Sequence, residues 1–261
     1  MSNKFEASER QCAGLVPAAG FATRLPGLAG SKEMLEVGGE PAIGHLLRAF
    51  RNAGVAETRV ILRQGKWDIP EFLAGPDWQD LNIRYHVTRG TSGVPETVAL
   101  GLQGLPVDTV LFGFPDILFE PSDAFFRLRN QLHSGDADVV LGLFPTQTPS
   151  KMDMVEIDGL DRVVAIEIKP DITALELTWI TAAWRKSFTE YFLSMQQDTP
   201  ERIRQRAGPG GDPHIGHVLQ LAMDDGLVVT AVRFGEGRSL DIGTPEDLDR
   251  ARDWHGKDDQ R

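Results

Sequence analysis

The chain has a single cysteine, Cys12, in 261 residues. That excludes an intrachain disulfide and a cysteine-based zinc site. The position of Cys12 inside an apolar run predicts a buried small side chain rather than a reactive thiol. Basic residues are also scarce: 27 Lys and Arg stand against 38 Asp and Glu, a net charge of −11. Binding to DNA, RNA or an anionic membrane needs a basic footprint that this composition does not supply. No stretch approaches 18 uncharged apolar residues, so no membrane-spanning helix is expected. The segment from Met1 to Gln11 is polar and lacks the apolar centre of a secretory leader. These absences make a reducing, cytoplasmic setting the expectation. An acidic chain that handles phosphates must gather its few cations locally or use a divalent metal.

What is present is an alternation of strand and helix patterns. Cys12–Pro17, Thr58–Leu62, Leu81–Val87, Thr109–Phe114 and Asp138–Phe144 read as strands. Between them, Pro41–Asn52 carries Ile43, Leu46, Leu47 and Phe50 at helical spacing, with Pro41 as first helical residue and Gly54 as the stop. Pro95–Leu105 and Ser122–Leu132 read as further helices, Ser122 serving as N-cap. This order predicts an α/β fold: one doubly wound, mostly parallel mixed sheet flanked by helices, Rossmann-like in kind. Later the pattern changes. Met154–Ile157 and Arg162–Ile168 form a strand pair around the Asp158-Gly159 turn. Ser187–Met195 and Ile215–Asp224 are helical, Leu227–Phe234 is a strand, and Pro245–Trp254 is a closing helix after Thr244. Thr199–Pro213, rich in glycine and proline, reads as a loop.

Four constellations carry chemistry. The first strand runs into Ala18-Ala19-Gly20, then Phe21, Ala22, Thr23 and Arg24, with Lys32 further on. Small residues let backbone N–H groups approach a polyphosphate, and Arg24 and Lys32 stand where its charge would lie. Asp116 follows the apolar run Val110-Leu111-Phe112 at a strand end, where ligands of doubly wound sheets bind; it is a poor core residue and a good Mg²⁺ ligand. Asp241 lies between a strand and the helix capped by Thr244. Lys169 ends an apolar strand and is locked by Pro170.

Ala18-Ala-Gly-Phe-Ala-Thr-Arg-Leu25 with Lys32, Asp116 at its strand end, Ile168-Lys-Pro170 and Asp241-Ile-Gly-Thr-Pro245 together resemble the motifs of sugar-1-phosphate nucleotidyltransferases, the glucose-1-phosphate thymidylyltransferase type. The motifs occur in family order over about residues 12 to 252. Five positions depart from the pattern: Ala22 replaces a glycine, Ser31 a proline, Thr88 a glutamine, Met154 a glycine and Ile168 a glutamate. The resemblance implies one nucleotidyltransferase domain over residues 1–261, with a nucleotide-binding lobe over about 12–120 and a sugar-phosphate lobe over about 121–252. It implies that an NTP and a sugar 1-phosphate give an NDP-sugar and pyrophosphate. It assigns Arg24 and Lys32 to catalysis; Ala18, Ala19, Gly20, Ala22, Thr23, Thr88 and Gly93 to the nucleotide; Lys169 and Glu156 to the sugar phosphate; and Asp116 and Asp241 to Mg²⁺. Self-association is common in the family. The opening motif is shared with cytidylyltransferases acting on non-sugar phosphates, and Ala22, Ile168 and Met154 leave room for a non-catalytic NDP-sugar-binding regulator. His214-Ile-Gly-His217 matches the signature of class I aminoacyl-tRNA synthetases, but it lies late in the chain after a glycine-rich loop. It is read as coincidence, with His217 facing its own helix.

Overall fold

The computed structural model describes residues 12–21, 27, 30–252 and 254. Strand β1 (Cys12–Ala18) leads to the short strands β2 (Glu36–Val37) and β3 (Glu40–Pro41) and to helix α1 (Ala42–Asn52). Next come β4 (Glu57–Arg63), α2 (Asp68–Leu73), β5 (Ile83–Thr88), α3 (Val94–Leu102), β6 (Thr109–Gly113) and β7 (Ile117–Glu120). The chain continues through α4 (Ala124–Ser134), β8 (Val139–Pro145), the pair β9 (Asp153–Ile157) and β10 (Val163–Ile168), and β11 (Leu177–Arg185). It ends with α5 (Lys186–Gln197), α6 (Pro200–Ala207), α7 (Ile215–Asp224), β12 (Val229–Arg233), β13 (Arg238–Asp241) and α8 (Pro245–Arg252).

Nine strands form the main sheet, in the order β10-β9-β11-β6-β1-β4-β5, with β8 also on β11 and β12 beyond β8. The ladders β6–β1–β4–β5 and β8–β12 are parallel, and the four others are antiparallel. Only β10 and β11 oppose the common direction, so the expected mostly parallel mixed sheet is what the chain forms.

Its two faces explain the apolar runs. Along β1, β4 and β6, Leu15, Ile61 and Phe112 enter one core layer with Val98 of α3, Phe188 of α5 and Leu219 of α7. The neighbouring residues Val16, Val60 and Leu111 enter the opposite layer with Leu46 and Phe50 of α1 and Phe125 of α4. Strands buried on both faces need side chains apolar at every position, not at every second one. Gly14 sits where α1 packs closest: a Cβ there would lie 2.5 Å from the Phe50 ring.

Several boundaries differ from the sequence expectation. Pro41 is still extended (φ −57°, ψ 142°) and precedes α1 rather than opening it. Ser122 is not the cap of α4, because the turn at Pro121 delays the helix and Asp123 precedes Ala124. The stretch Thr199–Pro213 is not all loop, since it contains α6. That helix buries one apolar residue, Ile203, and is held by Arg202–Asp225 (2.7 Å) and Arg206–Asp224 (2.5 Å). One buried residue in a charged octet leaves no apolar period to read. The central strand β11 also carries no alternation, being buried along its length. Among the described residues no helix is long and apolar enough to cross a membrane.

Candidate active site

A cavity of about 410 Å³ opens beyond the carboxyl ends of β1 and β6. This is where ligands of open α/β sheets bind. β1 delivers Pro17, Ala19, Gly20 and Phe21; Lys32 stands on the 3₁₀ turn Lys32–Met34; and the segment after β6 supplies Phe114 and Asp116. From the other half of the chain come Asp153, Lys169, His214 and Asp241. Lys32, Asp116, Lys169 and Asp241, far apart in sequence, thus share one cavity.

The carboxylates Asp116 and Asp241 meet through a small ladder. β13 pairs antiparallel with β7, placing Asp241 opposite Ile117, and the Ile242 N–H donates to the Asp116 carbonyl at 2.9 Å. Asp116 is buried at 8% exposure, and the Lys32 amine donates to its Oδ2. Burial works against the Lys32 charge, but Asp116, with Glu33 and Asp241, outweighs it and holds this amine above the ordinary lysine range.

Behind Lys32 lies a second ion pair. The Lys66 amine donates to both oxygens of fully buried Glu33 at 2.7 Å. Burial pushes Glu33 up and Lys66 down, each opposed by the partner's charge. Ser31, the departure from proline, has a local reason. Its N–H and its hydroxyl donate to the two carboxylate oxygens of Asp68, both at 2.7 Å. Proline supplies neither donor. Asp68 and the Glu33–Lys66 pair therefore brace the turn that carries Lys32 from both sides.

Lys169 has a left-handed backbone (φ 44°), uncommon for a residue with a Cβ, and its N–H donates to the Met152 carbonyl at 3.1 Å. Asp153 sits nearby. Burial pushes its carboxyl up to about 6, against the Lys169 charge. His214 precedes α7 and is pushed down to about 4 by burial, Lys169 and His217. The His214-x-x-His217 string is a helix-start device: the His214 N–H donates to the His217 Nδ1 at 2.9 Å. Thr244 caps α8 in the reciprocal sense, its hydroxyl accepting the Asp247 N–H at 3.2 Å.

The remaining expected residues divide. Gly93 lines the cavity beside Ser92, its carbonyl accepting the Thr97 N–H at 3.2 Å. Three do not line it. Ala18 turns into the apolar layer under α1. Thr88 spends its hydroxyl on Gly90, donating to the carbonyl (2.9 Å) and accepting from the N–H (3.2 Å). Glu156 is exposed on β9, three residues past the cavity-facing Asp153. Ala22, Thr23 and Arg24 lie outside the described residues. Asp153, His214 and Trp179 were not anticipated. The first follows no motif, the second was hidden in a coincidental string, and the third lies in an unread strand.

A family model, the MobA-like NTP transferase domain, matches residues 14–205. The chain belongs to that family. It is 26% identical over 231 residues to the bifunctional protein GlmU of Rhizobium johnstonii, covering 86% of this chain and 48% of GlmU. It thus spans about half the length of this curated relative. Among solved structures, UDP-glucose pyrophosphorylase from Acinetobacter baumanii superposes with a TM-score of 0.75 at 17% identity, covering 97% of this chain and 95% of the other. The inositol-1-phosphate CTP transferase from T. maritima gives 0.72 at 18%, covering 94% and 96%. At such identities the likeness is one of fold.

Proposed function

We propose that this NTP transferase domain joins a nucleoside triphosphate to a sugar 1-phosphate, releasing pyrophosphate and forming an NDP-sugar. The observation that carries the reading is the convergence of Lys32, Asp116, Lys169 and Asp241 on one cavity at the carboxyl ends of the strands. The names of similar proteins, a UDP-glucose pyrophosphorylase and an inositol-1-phosphate CTP transferase, support the same class of reaction.

The chemistry needs no general base. A phosphate monoester has a second pKa of about 6, so its attacking oxygen is ionised at neutral pH. The site must instead hold two anions in line and offset charge at the α-phosphorus. Lys32 exchanges Asp116 for an α-phosphate oxygen, braced by the Ser31–Asp68 contacts and the Glu33–Lys66 pair. Lys169 holds the acceptor phosphate. Ala19, Gly20 and Gly93 offer backbone to the nucleotide, and Arg24 takes the β- and γ-phosphates. Two carboxylates, Asp116 just before β7 and Asp241 at the end of β13, with no third metal-ligating side chain grouped with them among the described residues, suit Mg²⁺, which is held by one or two carboxylates plus substrate phosphates and water. Asp116 and Asp241 would hold it, and when bound it neutralises phosphate charge. The net charge of −11 disfavours nucleic acid or an anionic membrane as partner, so phosphate is met by the cations gathered in the cavity.

The test is a panel of nucleoside triphosphates against sugar 1-phosphates with Mg²⁺, reading pyrophosphate. Release with at least one pair is expected. No release with any pair, together with tight NDP-sugar binding, would establish a non-catalytic regulator instead.

A further inference from the structure

The phosphate machinery leaves two carboxylates of the cavity without a role, Asp153 and the exposed Asp212. Asp153 opens β9 and stands across the β9–β10 ladder from Ile168. Position 168 is where the resembling family carries glutamate, but here the Ile168 side chain is packed against Gly216 of α7 and faces the core. The carboxylate in this part of the cavity therefore comes from the opposite strand. Its Oδ1 and the Trp179 indole nitrogen are both buried without a hydrogen-bond partner among the described residues, and the Lys169 charge lies close by. His214 lines the same wall, its backbone fixed by His217. Trp179 and Phe114, with ring centroids 5.7 Å apart, form an apolar surface beside these polar groups.

We propose that Asp153 and His214 select the acceptor by reading the hydroxyl groups of its ring. The inference rests on the nucleotidyl-transfer reading and names the residues that discriminate among its acceptors. A carboxylate accepts O–H donors and repels phosphate, so Asp153 faces the carbon skeleton while Lys169 takes the phosphate. A neutral imidazole at His214 donates to or accepts from a hydroxyl without adding charge. The aromatic wall suits the C–H face of a ring. An ammonium group at Asp153 fits less well, because the Lys169 charge already lies close to that carboxylate.

The experiment is titration calorimetry on the full chain with glucose, galactose and N-acetylglucosamine 1-phosphates and inositol 1-phosphate. Ethyl phosphate and phosphoethanolamine are the comparators. The wild type is expected to bind at least one polyol phosphate about tenfold or more tightly than ethyl phosphate. Asp153→Asn should erase that preference and leave ethyl phosphate binding unchanged, and His214→Ala should reduce it. In turnover, Asp153→Asn should raise the acceptor KM and spare the NTP KM. An undiminished preference in Asp153→Asn, no polyol preference in the wild type, or tighter binding of phosphoethanolamine would overturn the inference. Polyol binding of this pattern without any pyrophosphate release would sink the transfer reading alone.

Discussion

Lys32 donates to Asp116 across 84 residues of sequence, and both groups line the cavity. A lysine held on a buried carboxylate beside a phosphate-sized space has its position and charge set before substrate arrives. Such preorganised charge costs little reorganisation during reaction. Lys32→Ala should therefore lose about a hundredfold or more in pyrophosphate release. Its far-UV spectrum and cooperative melting should persist, because the Glu33–Lys66 pair and the Ser31–Asp68 contacts remain. Near-wild-type release by a folded variant would remove Lys32 from catalysis.

The Glu33–Lys66 pair is buried, so breaking it by one partner leaves an uncompensated charge. Glu33→Gln or Lys66→Met is expected to cost about 3–5 kcal/mol in urea unfolding. The double variant should recover part of that loss, because it removes both charges together. Additive losses would show that the two groups do not act as a pair.

Ser31→Pro restores the residue of the resembling family and should nevertheless weaken this chain. It deletes both donors to Asp68, at a cost of about 1–3 kcal/mol. Ser31→Ala, which keeps the N–H, should fall between the two. A chemical denaturation series of the three proteins orders them.

Asp153 gives a pH dependence with a definite sign. Its carboxyl is raised from 3.8 to about 6 on folding. Between those values the folded state binds the proton more strongly than the unfolded state, so stability falls as pH rises. Above about 6 the penalty is complete. Asp153→Asn should therefore melt higher than the wild type at pH 7–8, and its advantage should vanish at pH 4 and below. A variant that gains stability while losing polyol preference separates binding from folding. Equal melting of both proteins at every pH would contradict the burial argument.

The sequence made much of the architecture legible because it rests on local pattern. The runs that became β1, β4 and β6 are apolar at successive positions, as double burial requires. The grouping of Lys32, Asp116, Lys169 and Asp241 around one cavity could be read from motifs. What stayed hidden depends on tertiary packing. β11 is buried from Thr178 to Trp184 and shows no alternation, and α6 rests on Ile203 alone. Thr88 and Glu156 were placed by motif position, but the turn at Gly90 consumes the Thr88 hydroxyl and the β9 register leaves Glu156 exposed. Asp153 emerges only when β9, β10 and α7 are assembled, because no neighbour in sequence marks it.

The most direct test of the central claim is product stoichiometry. Wild-type protein is incubated with Mg²⁺, an NTP labelled at the α-phosphate and a sugar 1-phosphate, and the products are resolved by mass. One labelled NDP-sugar per pyrophosphate released is the result predicted, with both lost on chelation of the metal and on Lys32→Ala. Labelled NMP formed without an acceptor, or no consumption of any NTP with any sugar 1-phosphate, would contradict it.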